Sequence, residues 1–346
     1  MAQEKKSRRW LWTVLRLSVG LALLGWLLHT CNSQEFLDVV RALKPSAVMS
    51  AVLMTFSGVV FVAYPWRLLL KSVSVELTGF QAVFLNIMAY AVNNLIPGGL
   101  GGDALGAWVA GRKAGRYTGS FAATLMDRWM SFLCLMSITV VMSVWHWEEL
   151  CGRGLKHPLQ GVIVFFVILL AVSMLLFVGN LPLSQKIVQK MTAGMPLLHL
   201  SQEMLGFFGR RRLMAACFLM FLVTPTLDAL VFYLLSECLG LGQPFWIFVL
   251  MVPVMRVIHH IPVSVNAVGT QDAACVFYLA AFGVGKPEAL TISMGVHAVK
   301  LTTACICGSL YLLLAGRSGL ETKNCSPLSI KDINSSPDKS DEIKRE

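Results

Sequence analysis

The chain has 346 residues, of which 56% are hydrophobic and 14% are charged, and its mean hydropathy is +0.67. With several apolar runs of about 20 residues, this composition excludes an ordinary soluble domain and predicts a polytopic, all-α membrane protein. The net charge of +10 does not indicate nucleic-acid binding, because the basic residues fall in short loops between apolar runs and thus act as an orientation signal.

The first half of the chain predicts three spanning helices and one interrupted hairpin. A basic segment at residues 1–10 is expected in the cytoplasm. The elements that follow are a span at 11–28, a span at 46–64 with an inner interface at 65–71, an interrupted hairpin at 80–110 and a span at 121–145. Cys31 and Cys151 both fall in loops expected outside, which allows a disulfide between them.

The second half repeats this order. It predicts a span at 159–178, a cytoplasmic loop at 179–212, a span at 213–235, an interrupted hairpin at 245–282, a span at 288–314 and a disordered tail at 317–346. An amphipathic helix on the inner leaflet is predicted within 183–208. The adjacent Arg210, Arg211 and Arg212 are interpreted as a topology anchor or as a site for anionic lipid.

Each half contains a break in an apolar segment. In the first, Pro97 cannot donate a backbone hydrogen bond, and Gly98, Gly99, Gly101 and Gly102 follow it. The second break covers residues 261–272. Non-helical backbone at membrane depth is tolerated only inside protein or beside a water-filled cavity, so the breaks predict re-entrant hairpins that line the working site. For the first break, an ordinary turn between two spans is the alternative.

Three crossings in each half give the two halves opposite orientations. The sequence therefore predicts six spanning helices and two re-entrant broken-helix hairpins in an inverted repeat, with residues 11–145 as the first membrane repeat and 146–316 as the second. The spacing of equivalent residues in the two halves agrees with this repeat, because Arg128 follows Asp103 by 25 residues and His297 follows Asp272 by 25 residues.

Ionisable residues inside apolar segments are costly to bury and are candidates for function. They are Asp103, Asp127, Arg128, Asp228, Arg256, His259, His260, Asp272, His297 and Lys300. Asp103 and Asp272 either cap half-helices only or also face a cavity, and Asn at either position is expected to keep the cap. Arg128 is predicted to pair with a hairpin carboxylate. Arg128, Arg256 and Lys300 are predicted to bind a lipid phosphate.

Other site chemistries find little support in the sequence. Adjacent histidines on a helix point about 100° apart and rarely chelate one ion, so His259 and His260 do not indicate a metal, and no cofactor is predicted. Asn93, Asn94 and Asn266 either satisfy the broken backbone, which we favour, or contact a ligand. The predicted substrate-binding residues are Asn94, Pro97, Gly98, Gly101, Asp103, Arg128, Arg256, His260, Asn266, Asp272 and Lys300.

Residues 94–103, the Asp127–Arg128 pair and residues 261–264 and 269–274 resemble motifs of the lysylphosphatidylglycerol synthase transmembrane region, shared with flippase-like membrane proteins. The resemblance covers roughly residues 10–316. Two positions depart from it, since Gly106 and the Gln271–Asp272 pair stand where the family often has Arg and Arg–Glu. No soluble aminoacyl-transferring domain is recognised, so the resemblance implies lipid translocation and not lysyl transfer.

We therefore expect an integral inner-membrane (plasma-membrane) protein with both termini in the cytoplasm. It is expected to move an anionic or amphiphilic lipid with a phosphate-containing headgroup between leaflets, without acting as an enzyme and without binding nucleic acid. One alternative is a membrane enzyme that acts on a lipid headgroup, with His259 or His260 and Asp272 as an acid–base pair. Another is a non-transporting partner of an envelope-lipid or glycolipid biosynthetic enzyme.

Overall fold

The computed structural model of the chain describes residue 41 and residues 44–95, 101–153, 160–161, 163–168, 198–260 and 267–314. Predictions outside these residues concern the first span, most of the fourth span, the hairpin tips at 96–100 and 261–266, the pairing of Cys31 and the tail. Within the described part of the chain, all regular structure is helical.

In chain order, the helices are α1 (Pro45–Ser72), α2 (Gly79–Leu95), α3 (Gly101–Ala114), α4 (Tyr117–Trp145), α5 (Trp147–Gly152), α6 (Leu198–Phe208), α7 (Arg211–Phe221), α8 (Val223–Cys238), α9 (Phe245–His260), α10 (Thr270–Ala280) and α11 (Lys286–Leu314). Residues 163–168, within the predicted fourth span, are also helical.

Four stretches of the described chain are long and apolar enough to cross a membrane: α1, α4, α11, and α7 taken together with α8. Each has 28 or 29 residues, which at 1.5 Å per residue extends roughly 42 Å and exceeds the ~30 Å of a hydrocarbon core. The described chain is therefore that of a multi-pass membrane protein, and the total of six spans remains a prediction.

The basic loops lie at one end of the bundle, which we call the first end. Arg210, just before α7, donates a hydrogen bond to the carbonyl of Ser72 at the end of α1. Lys113, near the end of α3, donates to the carbonyl of Glu76 before α2, at 3.5 Å. These contacts bring together the end of α1, both outer ends of the α2–α3 hairpin and the start of α7.

The remaining connections between helices lie at the opposite end, which we call the second end. His146, after α4, stacks on Trp246 at the start of α9 with ring centroids 3.8 Å apart. Arg153, after α5, donates to the carbonyl of Ala281 after α10. Consequently α4 and the α7–α8 pair run from the first end to the second, whereas α11, which follows α10, starts at the second.

The two interrupted segments enter the bundle from opposite ends. The α2–α3 hairpin has its outer ends at the first end, and the α9–α10 hairpin has its outer ends at the second. These helices have 17, 14, 16 and 11 residues in chain order, fewer than the about 20 that a spanning helix needs. The inner ends of all four helices therefore lie inside the bundle.

One predicted boundary is wrong. The second span was expected to end at residue 64 before an interface, but α1 continues through Pro65 to Ser72. Trp66 is only 7% exposed, and its indole N–H donates to the hydroxyl of Thr124 in α4 at 2.9 Å. Packing against α4 thus outweighs the local cost of a proline inside the helix.

The predicted span at 213–235 consists of two helices, α7 and α8, which meet at Leu222. Pro225 lies near the start of α8 and lacks a backbone N–H. Its ring disfavours a regular helix through the carbonyl four residues earlier, at Phe221. The proline was visible in the sequence, but the uninterrupted hydrophobicity around it masked the break.

Candidate functional site

A cavity of about 200 Å³ lies where the two hairpins approach each other. Its wall is formed by α1, α2, α3 and α4 of the first half and by α8, α9, α10 and α11 of the second. The polar and charged lining residues are Thr55, Asn86, Tyr90, Asn93, Asn94, Asp103, Arg128, Thr224, Asp228, Arg256, His259, Gln271 and Lys300. The cavity therefore brings polar and charged side chains together in the interior of an apolar bundle.

On the first-half side, Asp103 is the centre of a hydrogen-bonded group. Its Oδ1 accepts from Arg128 of α4 at 2.6 Å and from the Asn93 amide of α2 at 3.1 Å. The amide oxygen of Asn93 accepts from the backbone N–H of Gly102 at 2.8 Å. Asn93 thus joins the two arms of the hairpin, and Asp103 attaches the hairpin to α4.

On the second-half side, Arg256 of α9 pairs with Asp228 of α8. Its Nε donates to Asp228 Oδ2 at 3.1 Å, and one terminal nitrogen donates to the same oxygen. Both side chains are partly exposed to the cavity, which suits an ion pair better than a dry interior does. This pair fixes a helix of the second hairpin to the adjacent long helix.

Lys300 of α11 is the third cation of the cavity. Among the residues that the structure describes, it forms neither a hydrogen bond nor an ion pair, whereas Arg128 and Arg256 each have a carboxylate partner. Three cations and two carboxylates line the cavity, so one positive charge is not compensated by these pairs.

Asp272, at the start of α10, is fully buried and does not line the cavity. Its Oδ2 accepts from the backbone N–H of Gly269 at 2.8 Å, which is an N-terminal cap. Its Oδ1 accepts from Ser293 of α11 at 2.5 Å and lies 3.2 Å from Nε2 of His297. Asp272 therefore holds the second hairpin against α11.

The residues at equivalent 25-residue spacing in the two halves make contact. Asp103 contacts Arg128 across α3 and α4, and Asp272 contacts His297 across α10 and α11. In each half, an acidic residue in the first turn of the returning half-helix holds a basic residue of the following long helix. The first pair faces the cavity, whereas Asp272 of the second pair is buried behind it.

Of the predicted site residues, Asn94, Asp103, Arg128, Arg256 and Lys300 line the cavity. Asp272 does not line the cavity and instead holds α10 against α11. Gly101 is the first residue of α3 and does not line the cavity either. Pro97, Gly98, Asn266 and the side chain of His260 lie outside the described residues. Within the described part, no three His, Cys, Asp or Glu side chains lie together as metal ligands, and the absence of a metal stays a prediction.

Sequence reasoning missed several lining residues. Asp228 was recognised as ionisable, but its pairing with Arg256 across 28 residues could not be read from the chain. Tyr90 carries no charge and lies in an apolar helix, so no pattern distinguished it, and Gln271 stood out only as a departure from the family motif. Gln271 is 1% exposed, and neither of its amide atoms has a hydrogen-bond partner among the residues that the structure describes.

The profile of the lysylphosphatidylglycerol synthase transmembrane region matches residues 13–308 of the chain. The chain belongs to this family. The match covers both interrupted hairpins and all helices described from α1 to the greater part of α11. A search of curated proteins finds no match to the chain.

Proposed function

We propose that the protein translocates an anionic or amphiphilic lipid between membrane leaflets, with the headgroup in the cavity between the two hairpins. The observation that carries this proposal is the convergence of three cations, Arg128, Arg256 and Lys300, on one cavity built from both halves. Arg and Lys are the side chains that bind phosphate groups. Membership of a lipid-associated membrane family supports the same substrate class.

The cavity suits a headgroup better than a whole lipid. Its volume of about 200 Å³ is below the ~300–1,000 Å³ of pockets that enclose drug-sized ligands. A phospholipid would therefore place its phosphate in the cavity and leave its acyl chains in the surrounding bilayer. This arrangement allows an amphiphile to cross without burying its charge in hydrocarbon.

We propose that the two halves form an inverted repeat that moves by alternating access. Support comes from the opposite entry of the two hairpins and from the equivalent contacts Asp103–Arg128 and Asp272–His297. In secondary transporters of this plan, substrate sites lie at the interface between repeats and near broken helices. Rocking of one half against the other would expose the cavity to each leaflet in turn.

The first end of the bundle is proposed to face the cytoplasm of the inner (plasma) membrane, with both termini on that side. It carries Arg112, Lys113, Arg116, Arg210, Arg211 and Arg212, and cytoplasmic loops are enriched in such residues. A single cysteine in place of Lys113 should react with an impermeant maleimide in inverted membrane vesicles only. Labelling in intact cells would reverse the proposed orientation.

The headgroup-modifying enzyme has less support, because its proposed acid–base pair is not assembled in the cavity. His259 lines the cavity, but Asp272 is buried and bonded to Gly269 and Ser293. A general base must come within hydrogen-bond reach of the proton it removes. The translocation assay below separates the two functions.

The test uses the full chain in vesicles that contain a trace of fluorescent, acyl-labelled phosphatidylglycerol. An impermeant quencher reports how much label reaches the outer leaflet over time. We expect faster equilibration than in protein-free vesicles and at least a fivefold lower rate for Lys300→Met, since the uncompensated cation is lost. Arg153→Met, at the second end and away from the cavity, is the control and should keep the wild-type rate.

Extraction of the labelled lipid after the assay distinguishes the alternatives. Unmodified lipid that has crossed supports translocation, and chemically altered lipid supports the enzyme. Unmodified lipid that crosses no faster than in protein-free vesicles would overturn the proposed function and favour the non-transporting partner.

A further inference from the structure

Asp127 is a buried carboxyl group for which the cavity between the hairpins has no use. It lies in the first half of α4, is 3% exposed, and does not line that cavity. Among the residues that the structure describes, its Oδ1 has no hydrogen-bond partner, and the carboxyl group forms no ion pair. Buried carboxyl groups are otherwise almost always paired or hydrogen-bonded.

A second, much smaller cavity lies against Asp127. Its volume is about 20 Å³, which is roughly enough for one water molecule. Asn86, Asp103 and Arg128 line both this cavity and the larger one between the hairpins. Asp127 is therefore reached from the larger cavity past the Asp103–Arg128 ion pair.

The charges around Asp127 do not balance if its carboxyl group is ionised. The charged and titratable groups that face it in the described part of the chain are Asp103 of α3, Arg128 of α4 and the Cys217 thiol of α7. Arg128 donates to Asp103 at 2.6 Å, and its Nε is buried without a partner. One cation thus faces two carboxyl groups and bonds only to Asp103.

The neutral side chains of the small cavity use their donors elsewhere. The indole N–H of Trp66 donates to the hydroxyl of Thr124 at 2.9 Å, and that hydroxyl donates to the carbonyl of Ser120 at 3.0 Å. The amide of Asn86 donates to the carbonyl of Val59. An ionised Asp127 would therefore be a buried charge without a counterion or a hydrogen bond, and such a group takes up a proton instead.

Resting on the proposed function, we propose that Asp127 is a proton-binding site and that its proton crosses the membrane together with the anionic lipid. The carboxylate takes a proton from water on the side to which the larger cavity is open and becomes a neutral carboxylic acid. The same proton returns to water when the cavity opens to the other side. Arg128 and Asp103 remain paired throughout and do not change their protonation.

The two ligands are coupled through Arg128. A negative headgroup beside Arg128 offsets the positive charge that favours an ionised Asp127, so it favours the protonated form. By linkage, a proton on Asp127 favours binding of the headgroup to the same degree. A metal cation suits the small cavity less well, because Arg128 repels it and hard cations need several oxygen ligands.

The test imposes a pH difference across vesicles that contain the full chain and a trace of acyl-labelled phosphatidylglycerol. Potassium and valinomycin clamp the membrane potential, so that only the proton gradient acts. For one proton per lipid, each pH unit should enrich the label about tenfold in the leaflet that faces the alkaline side. Protein-free vesicles should show no enrichment. Enrichment driven by a sodium gradient at equal pH would replace the proton by a metal cation and overturn the proposal.

Asp127→Asn locates the proton. The amide has the shape of the protonated carboxyl group but cannot take up or release a proton, so the enrichment should be lost. Glu237→Gln is the matched control, because Glu237 is an exposed carboxylate at the end of α8. It should keep the wild-type enrichment. Enrichment that survives in Asp127→Asn overturns the proposal.

Infrared spectroscopy of the purified full-length chain in detergent tests the site without transport. The carbonyl band of a protonated carboxylic acid should be present in the wild type and in Glu237→Gln and absent from Asp127→Asn. At a pH where this band is partial, dioctanoyl phosphatidylglycerol should strengthen it. Failure to find the band at any pH at which the protein stays folded overturns the proton site.

The two measurements also separate this inference from the proposed function. Label that does not cross in the wild type overturns the proposed function, and the infrared band still decides whether Asp127 binds a proton. Label that crosses in the wild type without responding to the pH difference overturns the coupling alone.

Discussion

At the scale of single residues, Asp103 and Asp272 occupy matching positions but have different surroundings. Asp103 borders the cavity, and one of its oxygens accepts from both Asn93 and Arg128. Asp272 is fully buried, and each of its oxygens accepts from a separate donor, Gly269 or Ser293. The two aspartates therefore occupy equivalent positions in the sequence but should not tolerate the same substitution equally well.

We predict that Asp272→Asn destabilises the protein more than Asp103→Asn does. An asparagine at position 103 can still accept both hydrogen bonds through its one oxygen, and the partly exposed ion pair contributes at most about 1 kcal/mol. At position 272 an amide can keep the bond from Gly269 and donate to the Ser293 hydroxyl, but the carboxylate contact with Nε2 of His297 is lost in a fully buried site, which costs about 1–3 kcal/mol. Melting temperatures in detergent measure the difference.

The expectation that Asn keeps the cap at both sites stays a prediction, and the difference arises from the contacts that Asp272 makes beyond its cap. The control is Ser293→Ala, which removes one donor to Asp272 and leaves the carboxylate bonded to Gly269. It should lower the melting temperature less than Asp272→Asn does. Equal melting temperatures for the two Asp→Asn variants would contradict the assigned role of Asp272.

At the scale of elements, the α2–α3 hairpin depends on a close approach of its two arms. A Cβ added to Gly102 would clash with the carbonyl oxygen of Ala89 and lie 2.8 Å from its carbonyl carbon. The atoms it meets are backbone atoms, so no side-chain rotation relieves the clash. At the adjacent Gly101, a Cβ would meet only a methyl group of Val92 at 3.8 Å.

We predict that Gly102→Ala separates the arms of the hairpin, whereas Gly101→Ala is tolerated. Overpacking of this kind costs about 1–3 kcal/mol, and the shift would also break the bond from the Gly102 N–H to Asn93. The melting temperature and the lipid-crossing rate should both fall for Gly102→Ala only. Wild-type values for that variant would show that the arms are further apart than described.

At the scale of the whole molecule, the cavity exists only because the halves pack against each other. The two hairpins bring their inner ends together from opposite ends of the bundle. Near the second end, the backbone nitrogen of Lys44 before α1 lies 3.1 Å from the sulfur of Cys238 at the end of α8. This contact joins the first half to the second and is expected to move if the halves rock.

We predict that Lys44→Cys forms a disulfide with Cys238 under mild oxidation and lowers the lipid-crossing rate at least fivefold, because it prevents rocking. Reduction should restore the rate. The control joins two elements of the same half, through Val73→Cys and Gly119→Cys, where a Cβ on Gly119 lies 3.3 Å from that of Val73. Full transport by the oxidised Lys44→Cys protein would exclude rocking at this contact.

The elements of the fold could be predicted from the amino-acid sequence, because hydrophobicity, proline and glycine act locally. The helical class, the positions of the described spans and the two interrupted hairpins were all indicated, and the family match at 13–308 agrees with the motifs. The pairing of Arg128 with a hairpin carboxylate was also predicted and is confirmed. A charged side chain in an apolar segment requires a partner of opposite charge, and the apolar segments of this sequence contain few carboxylates.

Which residues share the cavity depends on tertiary packing. The pairing of Arg256 with Asp228 and the burial of Asp272 and Gln271 result from contacts between separate helices. A linear pattern shows which face of a helix is apolar but not which neighbouring helix covers it. For that reason the sequence identified the charged residues, and only the packing of the two halves separated the cavity lining from the anchors.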